Sequence, residues 1–389
     1  MNRKAAMRFI LMMGLVSLFG DISYEGARAM TGPYLAFLGA SAVTVGFVSG
    51  LGEFLGYGLR LVSGVAADKT RAYWPLTFLG YGLILAIPCL AFTSSWQVAA
   101  LFIILERAGK AVRSPARDAL LSYATKQVGR GWGFAIHEAM DQIGAVAGPL
   151  IFAAVLFWKN NFRLGFGVLF IPSLLTILSL AFAKSQGRAP EDFETPQHPQ
   201  SQPAQEAKLA PAYWHYAVFS CLCVAGLVNF QIISYHWKVH ALLLDAWIPL
   251  VYALTMAVDG VAALAVGKAY DRWGFKTLGL IPIVTLFVPF FVFLPSSAAS
   301  TVVVAVLWGI VMGMHETIMR AAIADLTRIQ KRGFGYGFFN TIYGGAWFLG
   351  SFTVGALYGL NIRFVLLFVV VLELAAFAVF WKFLRRAPR

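Results

Sequence analysis

The sequence predicts an all-α integral membrane protein: twelve transmembrane helices in two six-helix bundles, related by an approximate two-fold axis along the membrane normal. Three observations carry this. Of 389 residues, 59% are hydrophobic and only 13% charged, and the mean hydropathy is +0.72. A soluble chain of this length could not hide so much apolar surface. The apolar residues also gather in runs of about 20, the length that spans a hydrocarbon core at about 1.5 Å rise per residue. Finally, landmarks recur. Gly64, Asp68 and Lys69 after the second run are matched by Gly267, Asp271 and Arg272 after the eighth, 203 residues on; Arg130-Gly-Trp-Gly-Phe134 is matched by Arg332-Gly-Phe-Gly-Tyr336, 202 residues on. A parallel repeat of six plus six spans accounts for both.

The spans can be justified in order, with phases taken at 100° per residue. Span 1, 7–29, follows Arg3 and Lys4 and is read as a retained helix, because no small-residue cleavage site follows it. Its Asp21, Glu25 and Arg28 form one stripe with Gly14 and Gly32. Span 2, 41–67, carries Glu53 and Arg60 on a face with Gly46 and Gly64. Span 3, 74–94, is uncharged and contains Pro88, which a membrane helix tolerates. Span 4, 96–122, spaces Glu106, Lys110, Arg113 and Arg117 at four, three and four, so they line one face, with Arg107 and Asp118 off it. Span 5, 131–157, sets His137 and Asp141 in line with Gly144 and Gly148, with Glu138 alongside. Span 6 is 162–184. Residues 185–210 hold four prolines and almost no apolar residue, the composition of a solvated linker. Spans 7 to 12 are 213–240, 244–270, 276–296, 299–326, 333–358 and 361–384. Their intramembrane charges are fewer: Asp259 in span 8, Glu316 and Arg320 beside His315 in span 10, and Glu373 in span 12. The domains are thus 1–184, the linker 185–210, and 211–389.

The formal net charge of +13 reflects topology rather than a nucleic-acid partner. With the N-terminus in the cytoplasm, 20 Lys/Arg fall on that side and four (Lys159, Arg163, Lys238, Arg363) on the other, as the positive-inside rule requires. Both termini and the linker are then cytoplasmic, and a bacterial inner membrane is the expected location. Cys89, Cys221 and Cys223 all lie in apolar runs and give neither a disulfide framework nor zinc spacing.

The chain resembles the major facilitator superfamily (MFS) of secondary transporters. The loop motif of that family, G-x-x-x-D-[RK]-x-G-x-[RK], is met by Gly267, Asp271, Arg272, Gly274 and Lys276, and in the first copy by Gly64, Asp68 and Lys69, with Arg71 where the second glycine belongs. Gly144, Gly148 and Pro149 supply half of the family's helix-5 signature, with Ile151-Phe152-Ala153 in place of its glycine pair. The resemblance implies alternating access, and a gate in which the loop motifs and a carboxylate at the end of span 4, Asp118 facing Arg71, act as a latch.

Charges at the bilayer centre cost about 2.5–3.5 kcal/mol each on insertion scales, so they need partners and water. Asp21, Glu53, Glu106 and Asp141 lie about 15–21 Å into their spans, near the midplane. Asp21, Glu25, Glu53, Glu106, Glu138 and Asp141 are therefore candidates for proton coupling. Asp21 and Asp141 are favoured, having no cation one turn away on their own helix toward the cytoplasm. Arg28, Arg60, Lys110, Arg113, His137, Glu316 and Arg320 are candidates for binding solute, and the cations of span 4 favour an anionic or zwitterionic one. Plain structural roles compete: pairs such as Glu53–Arg60, Glu106–Lys110 and Glu316–Arg320, a satisfied His137, and packing at Gly144 and Gly148. The alternatives on the same fold are divalent-metal transport, through His137, Glu138, Asp141, Asp21 and Glu25, and lipid or drug efflux. An enzyme is not expected, since neither G-x-S-x-G nor H-E-x-x-H occurs. No cofactor is implied. The partners are a small-molecule solute, protons and the lipid bilayer, and a monomer suffices.

Overall fold

The structure, a computed structural model, describes residues 3–186, 210–294, 297–327 and 332–386. Nearly all of the expected linker lies outside the described residues. Helix follows helix: α1 Arg3–Phe37, α2 Ala42–Thr70, α3 Tyr73–Gly82, α4 Trp96–Val128, α5 Arg130–Lys159, α6 Phe162–Val168, α7 Phe170–Gln186, α8 Pro211–Gly226, α9 Phe230–Val239, α10 Trp247–Trp273, α11 Leu280–Phe293, α12 Ala298–Leu326, α13 Arg332–Leu360 and α14 Ile362–Leu384. Among the described residues, the helices run through the ranges expected for the spans. Nine described stretches are apolar enough to cross a membrane by composition alone, one of them (Trp247–Phe293) holding two spans. The charges of α4 and the glycine- and tyrosine-rich sequence of α13 keep those two helices outside that set.

Spans 3, 6 and 7 are interrupted. α3 passes into 3-10 turns over Leu83–Ala86 and Pro88–Phe92, the second opened by Pro88. Span 6 is divided between α6 and α7. Span 7 leaves helix at Leu227, where the backbone turns extended, and restarts when the Asn229 side chain accepts the Ile232 N–H at 2.9 Å. The Val228 carbonyl freed by this break accepts Trp308 Nε1 at 3.0 Å; in a membrane such a carbonyl needs a protein donor.

The chain forms two compact units. The first contains 1–31, 59–202 and 245–253; the second contains 32–58, 203–244 and 254–389. In the first, α1 crosses α5 where a Cβ on Gly144 would stand 2.5 Å from the Leu18 carbonyl and one on Gly148 would run into the Ile22 carbonyl. In the second, a Cβ on Gly350 of α13 would run into the Ala225 carbonyl of α8. Gly350 is Gly148 plus 202 and Ala225 is Ile22 plus 203, so the repeat reproduces a backbone-to-backbone crossing of the small-residue kind. α2 and α13 approach as closely: a Cβ on Gly355 would lie 2.5 Å from the Ala42 carbonyl, and one on Gly46 would run into that of Ser351.

The loop motif shows the same two-fold logic. Arg71 has φ +53° and Gly274, 203 residues on, has φ +56°. Both are left-handed, which explains the glycine of the motif and leaves Arg71 in a conformation L-residues resist.

Candidate functional site

The polar residues of the first unit converge on Tyr24, a buried side chain of α1. Lys110 Nζ stands 4.2 Å from the centroid of its ring, and the guanidinium carbons of Arg107 and Arg28 lie at 4.5 and 5.7 Å. Arg28 Nη1 donates to the Tyr24 hydroxyl at 2.8 Å, and Arg107 Nη1 donates to it as well. Two carboxylates balance these cations. Glu25 lies 3.6 Å from Arg28 Nη1 and accepts the Tyr252 hydroxyl at 2.6 Å. Glu106, 1% exposed, pairs with Arg113 Nη2 at 3.3 Å and Arg107 Nε at 3.9 Å. Arg113 packs over the Tyr81 ring at 5.0 Å. The spacing of α4 places Glu106, Lys110 and Arg113 on one face. α3 can lie close behind them because Gly80 and Gly109 meet without side chains: a Cβ on Gly80 would sit 2.6 Å from the Gly109 carbonyl.

A second polar group adjoins the first. His137 Nε2 is 2.9 Å from Ser17 Oγ, which is 3.0 Å from the Tyr81 hydroxyl. His137 Nδ1 lies 3.5 Å from Asp141 Oδ2, and Arg117 Nη1 reaches the same oxygen at 3.9 Å and Ser17 at 3.3 Å. Asp141 Oδ1 is buried with no hydrogen-bond partner among the described residues. Asp21 feels the charges of Lys110, Glu25, Arg113 and Arg117, and Asp141 those of Asp21 and Arg117. The two carboxylates thus link the groups.

Of the sequence candidates, Asp21, Glu25, Arg28, Glu106, Lys110, Arg113, His137 and Asp141 come together here. Arg60 lies half-buried on α2 in the same unit, whereas Glu53, also on α2, is buried in the other. Glu138 is exposed, and Glu316 is half-buried on α12. The side chain of Arg320 lies outside the described residues. His315, beside Glu316, is 2.5 Å from the Tyr343 hydroxyl. No group of three His, Cys, Asp or Glu able to hold a metal occurs among the described residues, so the set proposed for a divalent ion is not assembled as one.

The gating residues lie at the helix ends. Asp68 is exposed and accepts the Tyr73 hydroxyl at 3.5 Å. Asp271 and Arg272 are exposed. A Cβ on Gly64 would lie 3.7 Å from Pro115 of α4, and one on Gly267 3.6 Å from Thr317 of α12. One expectation needs correction: Asp118 pairs with Arg117 Nε and Nη2, both at 2.9 Å, and not with Arg71. The neighbouring guanidinium reaches it without closing a loop. Sequence reasoning also missed Tyr24, Tyr81, Ser17 and Tyr252, and set Arg107 aside as off the stripe. A tyrosine one residue from a charged stripe, Tyr24 beside Glu25, is the signal that could have found the first.

Comparison with known proteins agrees with this architecture. The family model described as Major Facilitator Superfamily matches residues 6–314 and 235–389. The uncharacterized protein Rv2265 of Mycobacterium tuberculosis is 39% identical, over 99% of this chain and 94% of its own length. An uncharacterized MFS-type transporter of Methanocaldococcus jannaschii, MJ1317, is 26% identical over 88% of this chain and 86% of its own. Among solved structures, a bacterial homologue of the human lysosomal transporter Spinster, inward-facing and unoccupied, superposes with a TM-score of 0.76 at 15% identity, covering 99% of each chain. The nucleoside transporter NupG gives 0.74 at 15%, over 96% of this chain and 99% of its own. The peptide transporter POT in complex with sulfate gives 0.71 at 16%, over 97% of this chain and 94% of its own. At such identities these neighbours speak for the fold alone. The chain belongs to the Major Facilitator Superfamily of membrane transporters.

Proposed function

We propose that the protein is a secondary transporter of a small polar solute, anionic or zwitterionic, working by alternating access and coupled to protons. The observation that carries the reading is the convergence of Arg28, Arg107 and Lys110 on Tyr24, with Glu25 and Glu106 as counter-charges. Cations gathered on one aromatic ring can accept the carboxylate or phosphate of a solute in exchange for their internal partners. Asp141 and Asp21 are the coupling carboxylates in this reading. Charge that enters with a proton can leave with it, so the loaded site need not cross uncompensated. The bundle boundaries 1–184 and 211–389, the cytoplasmic termini, the inner membrane and the monomeric state belong to the same proposal.

Alternating access finds support in contacts that join the two repeats at the helix ends remote from the linker. Tyr252 of α10 donates to Glu25 of α1. Asn229 Nδ2 donates to Ser49 Oγ of α2 at 3.1 Å, and Trp247 stands edge-on to Phe157 at 5.7 Å. Release on that side requires these contacts to part. The test is a thermal-shift screen of organic anions and zwitterions on purified protein, followed by uptake of the hits into proteoliposomes under an imposed pH gradient. Uptake that follows the gradient supports the reading. A screen whose organic hits are all lipophilic cations, or uptake of a divalent metal and of no organic solute, overturns it.

A further inference from the structure

Away from the charged cluster, the end of α9 carries His236 and His240, one helical turn apart. Their ring centroids are 4.6 Å apart. His236 Nδ1 lies 2.8 Å, and His240 Nε2 3.1 Å, from a single atom, the hydroxyl oxygen of Tyr358 on α13. His236 is 4% exposed, Tyr358 is half-buried and His240 is exposed, so the group is a buried recess with one open edge. The Phe293 ring closes it, edge-on to His236 at 5.0 Å. The backbone holds the helix end in place: His240 N donates to the His236 carbonyl at 3.1 Å and Leu242 N to that of Trp237 at 3.0 Å.

We infer that His236, His240 and Tyr358 form a site for a borderline divalent transition-metal ion such as Cu2+, Ni2+ or Zn2+. Imidazoles at i and i+4 on one helix face are a metal-binding arrangement, and imidazole suits these ions rather than Mg2+ or Ca2+. Two imidazoles bound cis at about 2.0–2.1 Å hold their centroids roughly 4.5–5 Å apart, the separation already present. The donor nitrogens aim at one point, with a third donor on the neighbouring helix. On binding, each neutral imidazole carries its proton on the nitrogen away from the metal, the one that donates to Tyr358 changing tautomer, the Tyr358 oxygen moves aside or coordinates, and water completes the shell. Two neutral imidazoles and a phenol leave the ion's charge largely uncompensated, with Lys238 two residues away, so affinity in the micromolar range is expected. The ion would tie α9, the second half of an interrupted span, to α13.

The test uses untagged full-length protein in detergent, stripped with chelator, titrated with Cu2+ and followed by electron paramagnetic resonance, and with Ni2+ and Zn2+ by calorimetry. One ion per chain is expected, with nitrogen superhyperfine splitting. His240→Ala, at an exposed position that leaves the fold intact, should weaken binding at least ten-fold; Tyr358→Phe should weaken it less, and His215→Ala not at all. Binding that is unchanged in both His240→Ala and His236→Ala, or no binding below about 100 μM in the native protein, overturns the assignment.

Discussion

Glu106 and Glu373 are equally buried, each 1% exposed, and they lie in opposite repeats. Glu106 stands among Arg113 and Arg107, with Lys110 one turn along the same helix. Glu373 sits on α14 against Gly226, where a Cβ would run into its Oε1, and neither of its oxygens has a hydrogen-bond partner among the described residues. Burial alone does not mark a functional carboxylate; its company does. With the 203-residue offset of the loop motif, Glu106 and Lys110 fall on Gly309 and Gly313 of α12, whose Cβ positions would lie 2.6 Å from the Thr255 carbonyl and 2.8 Å from that of Asp259. The repeats share their backbone crossings and differ in chemistry. Where the first holds charge, the second brings helices together.

That contrast can be broken experimentally, and the largest effect is expected at Glu106. Glu106→Ala takes the carboxylate away from two buried guanidinium groups, and removing one member of a buried pair costs about 3–5 kcal/mol. Unfolding in detergent should show that loss, and Glu106→Gln should recover part of it. Gly148→Ala and Gly350→Ala come next. Each forces a side chain into a carbonyl, an overpacking cost of about 1–3 kcal/mol. Because the crossings are equivalent, the two losses should agree; a large loss in one only would show that the repeats do not share this packing.

The sign should reverse at Glu373. Glu373→Met keeps the volume and removes a buried polar group without partners, so it should stabilise by about 1–3 kcal/mol. A loss of stability would reveal a partner for Glu373. The smallest effect is at Arg71. Arg71→Gly relieves a left-handed residue and should raise stability by about 1 kcal/mol, while Gly274→Ala should lower it by a similar amount. Thermal unfolding of the pair measures both.

Much of this was legible in the sequence. Span lengths, the repeat and the stripe Glu106, Lys110, Arg113, Arg117 follow from periodicity, and periodicity survives folding because a helix is a regular object. The focus of the stripe was not. Tyr24 is on α1, Tyr81 on α3 and Tyr252 on α10, and nothing in local spacing says that three helices bring their tyrosines to charges of the same unit. Arg107 lies 100° round the helix from Glu106, yet its long side chain reaches back to Tyr24, a freedom that a Cα-based phase cannot capture. The break at Leu227–Asn229 was equally hidden: the segment is mostly apolar, and the donor for its freed Val228 carbonyl, Trp308, comes 80 residues later. Arg71 shows the converse. Its place in the motif foretold a glycine-like backbone that its identity did not.

The central claim is that solute recognition resides in the charged cluster of the first repeat. The direct measurement is the equilibrium dissociation constant of a solute from the thermal-shift screen, for native protein, Lys110→Ala and Glu373→Met. Loss of a charge-assisted contact is worth about 1.5–3 kcal/mol, so Lys110→Ala should bind about 10- to 100-fold more weakly and Glu373→Met as tightly as the native protein. Native affinity in Lys110→Ala together with lost affinity in Glu373→Met would contradict the account.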